Sequence, residues 1–362
     1  MSWRLDILRA TGLGAGLRQF RPRRQPAEIE DQWNAFYLLM WQEAAAALGV
    51  ELELLPSGFI ALRLHGRKTV VWQYHVMLDD PVTIRLALDK AIGYRLFEHA
   101  GLPVAKHLEF SADHIRPALN FLAESEGPCV IKPASGTGGG HGVTCGVTRA
   151  DDLVRACIRA RRGGRRLLIE QQVEGEEYRL LFLDGVLLDV IRRRPPTLVG
   201  DGRSTVKGLI EAENGHRWAS RGQAGMRLIE VDLDCILTLR RAGLSLKSVP
   251  PIGSLITIKS TANANGPGDN ETVHDIGPQL VADAACAVAS LGVRLAGVDL
   301  IAPDPKLSLH ESGGVLVEVN GTPGLHHHYL VADRDRATRI AVPVLAKLLD
   351  LQENPGHHLD KH

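Results

Sequence analysis

Two apolar runs near the C-terminal end of the sequence, Ala296–Ile301 and Val315–Asn320, constrain this chain more than any other feature. They read as a strand pair joined by a loop holding Pro303, Pro305 and Gly313–Gly314. Residues two apart on a strand face the same side, so Glu318 and Asn320 point together, and a hairpin brings Asp299 beside them. Two carboxylates and an amide oxygen make a hard, oxygen-only set suited to Mg²⁺ and not to zinc or copper. Taken alone, the same residues also read as exposed acids on an edge strand.

The rest of the chain supplies a frame for that pair. At 362 residues it is long enough for two or three packed lobes. Its 42 basic and 42 acidic residues cancel, which argues against a nucleic-acid or membrane-surface binder. No apolar run approaches the ~20 residues that span a bilayer, and no signal core opens the sequence. The five cysteines are scattered without a CxxC pair, which fits a reducing cytoplasm better than a zinc or disulfide scaffold.

Along the chain, an Arg-rich arm (1–30) precedes a helix over Trp33–Leu48 and short strands at Glu51–Leu55, Phe59–Leu64 and Thr69–Trp72. A helix is expected over Leu86–Ala100, stopped by Gly101 and Pro103. Strands follow at Cys129–Lys132, Val143–Val147, Leu167–Gln171, Tyr178–Leu183 and Val186–Arg192, with helices at Asp151–Arg162 and Gln279–Leu291. Strands that interleave with helices but often run as hairpins suggest α+β lobes and not a doubly wound sheet. The expected divisions are the arm, an N-terminal α/β domain (31–85), a small lobe with a Gly-rich loop (86–170), a large lobe with the metal site (171–350) that carries an insertion (196–272), and a tail (351–362).

Two further segments suit a nucleotide. After Ile131-Lys132-Pro133 comes Ala134 to Gly142, a stretch whose glycines permit positive φ and close backbone approach to phosphate oxygens. It is not a Walker loop, because no Gly-Lys-Ser/Thr ends it. Lys132 just before it can serve as a point charge for phosphate. Leu168-Ile169-Glu170-Gln171-Gln172-Val173 ends a strand and runs into Glu174-Gly175-Glu176-Glu177, an extended exit whose backbone suits the edge of an adenine.

Taken in order, these pieces resemble the ATP-grasp superfamily, and in particular the ATP-grasp portion of cyanophycin synthetases and bifunctional glutathione synthetases. The resemblance rests on Asp89-Lys90 with Gly101 to Val104, Val130 to Pro133, Glu170 to Arg179, Val199-Gly200-Asp201-Gly202-Arg203-Ser204-Thr205-Val206, Gly297 to Asp299, and Glu318 to Asn320 with Pro323-Gly324. It covers roughly 86–332 and is loose before that. It implies two α/β lobes gripping ATP, with a small N-terminal α/β domain. It also implies an ADP-forming ligase that joins a small carboxylate to an amine, on amino-acid or peptide-like substrates. By position, Lys90 and Lys132 would meet ATP phosphates, Glu170 and Val173 adenine, and Glu177 ribose, with Ser135, Gly139, Gly140 and Arg179 also binding ATP. Asp299, Glu318 and Asn320 would hold Mg²⁺, as two ions for which Mn²⁺ can substitute. Arg193, Lys259 and Asn263 would be catalytic, and Gly324, His326 and His328 would bind substrate.

The departures from the pattern bear on substrate. Where relatives carry Arg-Glu-Asn-Ala-Asn, this chain has Lys259-Ser260-Thr261-Ala262-Asn263, and lysine cannot reproduce the bidentate fork of arginine. Where they have Arg-Met-His after Pro-Gly, it has His326-His327-His328, read here as a substrate loop on an extended chain and not as a metal site. The second catalytic region of cyanophycin synthetases is not in the sequence, so alternating addition of two amino acids is not expected. A small-molecule kinase and a non-catalytic nucleotide binder on the same fold are the competing readings. The oligomeric state stays open, a homo-oligomer included.

Overall fold

A computed structural model describes residues 27–351 except 137, 220–227, 263–268, 334 and 336. Asn263 and most of both the N-terminal arm and the C-terminal tail therefore lie outside the described residues. At the start, Tyr37, Met40, Trp41, Ala44 and Ala45 are buried at helical spacing. They form one face of α1 (Ala27–Leu48), which begins before the Trp33 expected from sequence. That face packs on an antiparallel meander of β1 (Glu51–Leu54), β2 (Phe59–Leu64) and β3 (Arg67–Trp72).

The single helix expected over Leu86–Ala100 is instead two, α2 (Pro81–Ala87) and α3 (Lys90–His99). Asp80 caps α2, accepting from the amides of Val82 and Thr83. Asp89 caps α3, accepting from the amide of Ile92. A side-chain oxygen that satisfies the orphan amides of a new first turn competes with continuation of the old helix. The break places Lys90 at the first position of α3.

A four-stranded antiparallel sheet follows, built from β4 (His107–Ser111), α4 (Arg116–Glu124), β5 (Cys129–Pro133), β6 (Thr144–Val147), α5 (Ala150–Ala160) and β7 (Arg166–Gln171). Its strand order is β4-β7-β5-β6. Ile131, Leu167 and Ile169 face α5 through Leu153, Ala156 and Ala160 in one core cluster.

The chain then enters a five-stranded antiparallel sheet with β8 (Glu176–Leu183) and β9 (Val186–Arg193). It leaves for β10 (Thr197–Val199), α6 (Val206–Ala219), α7 (Leu233–Arg241) and β11 (Leu255–Thr257), which have a small core of their own. Leu233 and Leu237 of α7 reach into the four-stranded sheet's core, so this excursion also braces that lobe. The sheet is completed by β12 (Asn270–Thr272), α8 (Pro278–Leu291), β13 (Leu295–Ala302), α9 (Leu309–Ser312) and β14 (Val315–Asn320), in the order β12-β9-β8-β13-β14. Finally α10 (Ala341–Leu348) packs back against α1.

The two faces of the five-stranded sheet differ. Tyr178, Leu180, Phe182, Val190, Val298, Leu300 and Val319 pack under α3 and α8. The alternate residues Glu177, Arg179, Arg193, Asp299, Glu318 and Asn320 lie on the opposite face, as the period of two requires. One irregularity sets this arrangement. Asp299 pairs with Glu318 but Leu300 pairs with Leu316, so Val317 is an extra residue in β14. The bulge lets Leu316 and Val319, three apart, both enter the core while Glu318 turns to the polar face. Gly175, between β7 and β8, sits where a Cβ would fall 2.9 Å from the Ala302 carbonyl carbon, so the passage from one lobe to the other runs flush against β13.

Candidate active site

The register of three neighbouring strands builds the site. Asp299 on β13 lies opposite Arg179 on β8 and Glu318 on β14, while Glu177 on β8 lies opposite Arg193 on β9. Arg179 grips Asp299 with both arms, at 2.6 Å from Nε to Oδ1 and 2.5 Å from Nη2 to Oδ2, and both residues are buried. Arg193 donates to Glu177 Oε1 at 2.5 Å and to the Ala262 carbonyl at 2.5 Å, with Asp299 Oδ2 3.8 Å away. Its neighbours Arg192 and Arg194 both pair with Glu271, so the three-arginine run divides between a buried site residue and a surface pair.

Two lysines reach this face from other elements. Lys90, buried at the start of α3, forms an ion pair with Glu318. Its amide also bonds the Ala134 carbonyl, and Asp89 bridges to Ser135, so the start of α3 is stitched to the start of the Gly-rich loop. Burial alone would raise the Glu318 carboxyl, but Lys90, followed by Arg179 and Lys132, holds it well below the usual carboxylate range. Lys132, buried at the end of β5, contacts Glu170 Oε1 at 2.7 Å and the Tyr94 hydroxyl at 2.7 Å. Tyr94 in turn donates to Glu170 Oε2 at 2.9 Å. Burial and then the Glu170 charge push the Tyr94 phenol up, so it stays a donor at neutral pH.

The loop between Lys132 and β6 contains a short turn, Gly138–Gly140, in which Gly139 and Gly140 have φ of 69° and 74°. Side-chain-bearing residues rarely adopt that conformation, and it aims successive backbone N–H groups to one side. Val173 is half-buried in the extended passage between β7 and β8.

Asp299, Glu318 and Asn320 converge as the sequence suggested. Asn320 Nδ2 lies 3.2 Å from Glu318 Oε1 and 3.4 Å from Asp299 Oδ2. Among the described residues no three His, Cys, Asp or Glu side chains gather at one metal-binding point. Two carboxylates and one amide fit Mg²⁺, which takes few protein ligands and completes its shell with phosphate oxygens and water. In this arrangement both carboxylates are already neutralised by Arg179 and Lys90, so a divalent cation must displace or share those partners.

Other expected residues have different immediate partners. Lys259 is buried against Asp232, with Nζ 2.6 Å from Oδ2, and Arg159 Nη2 contacts the same oxygen at 2.5 Å. The three histidines sit in a tight turn, Leu325–His328, and not on the extended chain expected from sequence, so all three are buried instead of alternating. His326 Nδ1 meets the Tyr37 hydroxyl at 2.6 Å and His328 Nδ1 meets Asp189 at 2.6 Å. Gly324 leaves no room for a side chain, since a Cβ there would lie 2.4 Å from the His326 ring. His327, the middle residue, has a buried Nδ1 without a hydrogen-bond partner among the described residues. Burial first, then His326 and the two arginines Arg179 and Arg193, hold His327 well below the usual imidazole range, so it is neutral. Tyr94 is a group that sequence reasoning did not single out. Tyr94 reads as a core aromatic of an amphipathic helix, and only the fold shows its hydroxyl between Lys132 and Glu170.

Known proteins share this framework. No family model matches the chain. A cyanophycin synthetase from Nostoc sp. is 33% identical over 326 residues, covering 85% of this chain and 36% of that protein. A glutathione biosynthesis bifunctional protein from Enterococcus faecalis is 30% identical over 312 residues, covering 83% of this chain and 40% of that protein. The crystal structure of a bifunctional glutathione synthetase from Pasteurella multocida matches with a TM-score of 0.53 at 24% identity, covering 83% of this chain and 41% of that one. The chain thus spans about two fifths of the length of these relatives. With two mixed lobes meeting at a lysine- and carboxylate-lined face, it belongs to the ATP-grasp superfamily.

Proposed function

We propose that this chain is an ADP-forming ligase that joins a carboxylate to an amine on amino-acid or small peptide-like substrates. The observation that carries this reading is the ion pair of Lys90 with Glu318, beside Asp299 and Asn320, with the Lys132 charge of the four-stranded sheet acting on the same carboxylate. It is supported by relatives whose names are those of synthetases.

A carboxylate is a poor electrophile because its own charge repels an incoming amine. One of its oxygens attacks the γ-phosphorus, the bond to the β-phosphate oxygen breaks, and ADP leaves. The amine then attacks the acyl carbon, phosphate departs, and the amine gives up a proton. Catalysis of this kind is mostly positioning and charge neutralisation. Lys90 and Lys132 bind phosphoryl oxygens, with Ser135, Gly139 and Gly140 supplying backbone donors. Glu170 and Tyr94 together orient Lys132, and the passage at Val173 lies along the adenine, with Glu177 towards the ribose. Arg179 and Arg193 offset charge on the transferred group. Asp299, Glu318 and Asn320 would hold Mg²⁺, which neutralises phosphate charge when bound. Closing the Gly-rich loop excludes water that would hydrolyse the acyl phosphate.

The test is incubation of purified protein with ATP, Mg²⁺ and defined amino-acid and peptide mixtures. The expected result is ADP release together with a product whose mass equals carboxylate plus amine less water. A phosphoester product would replace this reading with a kinase.

A further inference from the structure

A cavity of about 380 Å³ opens where the N-terminal meander, α2 and the end of β14 meet. Its volume falls in the range of roughly 300–1,000 Å³ typical of small-molecule sites. Gly321 and Thr322, the two residues that follow Asn320 in the chain, form part of its lining, and no residue placed in the reaction site does. Its walls are mainly aliphatic, from Ile84, Leu88 and Leu295 among others. The polar groups are few and specific. Arg85 is exposed on α2 and has no ion pair or hydrogen bond among the described residues, in contrast to Arg166 and Arg179, which are held by Asp89 and Asp299. The Thr322 hydroxyl is likewise unengaged among the described residues. Asp79, by contrast, spends its carboxylate on the amides of Arg294 and Leu295, at 2.8 and 3.2 Å. His75 stacks on Tyr74 at 4.3 Å, and burial keeps its imidazole below the usual range, so it adds no positive charge.

We infer that this cavity holds the amine substrate, and that this substrate is an α-amino acid with an apolar side chain. The inference rests on the ligase reading for the word substrate. A guanidinium without a partner at the mouth of an aliphatic pocket recognises a carboxylate attached to an apolar group. A carboxylate held by Arg85 is not the one that takes the phosphoryl group, so this occupant contributes its amine. A charged side chain such as that of aspartate or arginine would lose its hydration against Ile84, Leu88 and Leu295 without a compensating partner.

The test uses the full chain and L-leucine, L-phenylalanine, L-aspartate and leucinamide, with calorimetric binding in the presence of the non-hydrolysable analogue AMPPNP and Mg²⁺. Leucine or phenylalanine should bind, aspartate should bind at least tenfold more weakly, and leucinamide, lacking the carboxylate, likewise. Arg85→Ala should weaken leucine at least tenfold and leave leucinamide unchanged, while Ile84→Trp should fill the cavity and abolish both. AMPPNP affinity, unchanged within twofold, certifies that each variant is folded. No binding of either apolar amino acid to the wild type, or equal binding to Arg85→Ala, overturns the assignment. Turnover is read separately from product mass. Leucine bound through Arg85 but never joined to any acid removes the ligase reading and keeps the binding site. Leucine found as the acyl half of a product overturns its assignment as the amine.

Discussion

Replacing Tyr94 by Phe removes one oxygen and nothing else, and that oxygen lies between the lobes. Tyr94 belongs to α3, whose apolar face is part of the large-sheet core, whereas Lys132 and Glu170 belong to the four-stranded sheet. The hydroxyl accepts from Lys132 at 2.7 Å and donates to Glu170 at 2.9 Å, with all three residues buried. Hydrogen bonds to charged groups contribute about 1.5–3 kcal/mol each. The two do not add, because Lys132 and Glu170 still hold each other at 2.7 Å after the change. The expected loss is therefore about 2–3 kcal/mol, roughly 30- to 150-fold in the unfolding equilibrium at 1.4 kcal/mol per factor of ten. Lys132→Ala should cost more, about 3–5 kcal/mol, since it strands the Glu170 carboxylate. Urea unfolding of the three proteins measures this as a shift in midpoint at constant slope. AMPPNP affinity should also fall in Tyr94→Phe, by about three- to tenfold (about 0.7–1.4 kcal/mol), as Lys132 loses its orientation. A change below about 0.5 kcal/mol with unaltered nucleotide affinity would refute the claim that this hydroxyl joins the lobes and aims Lys132.

Other expectations follow from the same geometry. Glu318→Gln should lower turnover by about two to three orders of magnitude, of the size seen when a charge-stabilising group is removed, while metal-free AMPPNP binding persists; steady-state kinetics against Mg²⁺ concentration checks it. Titration with a thiol reagent at neutral pH should modify Cys286 alone in the native protein and all five cysteines after denaturation, because Cys286 is exposed while burial pushes Cys157 and Cys235 up to about 12. Asp184, bonded to Arg294 and Lys347, is held at about 2, below its ordinary value, so its contribution is present above about pH 4 and lost as pH falls towards 2. Asp184→Asn should thus destabilise by about 0.5–1 kcal/mol at pH 7, as expected of a partly exposed pair, with the gap narrowing at pH 3 in urea titrations.

Much of the frame was legible in the chain, because strand and helix periods there follow burial. Glu318 and Asn320 share a face as their spacing says, and Asp299 comes beside them. The bulge at Val317 was not legible: alternation through Val315–Asn320 would put Leu316 and Glu318 on the same face, and only the two-against-one register separates them. The break at Asp89 was hidden for a related reason, since a capping carboxylate and an interior one look alike when apolar residues continue on both sides. Lys259 illustrates a different limit. Its partner Asp232 caps α7 in the excursion between β10 and β11, and no local pattern reveals a pairing between residues so far apart in sequence. The histidine run misled through its backbone, because a tight turn buries three consecutive rings that an extended chain would distribute.

The central claim is that phosphate leaves from a carboxylate. With a mixture of amino acids and short peptides labelled with ¹⁸O in their carboxyl groups, ATP and Mg²⁺, mass analysis of the released phosphate is decisive. The account predicts phosphate carrying a single ¹⁸O, transferred from the carboxylate as the amide forms. Unlabelled phosphate alongside an amide product, or a phosphoryl group retained on a substrate hydroxyl, would contradict it.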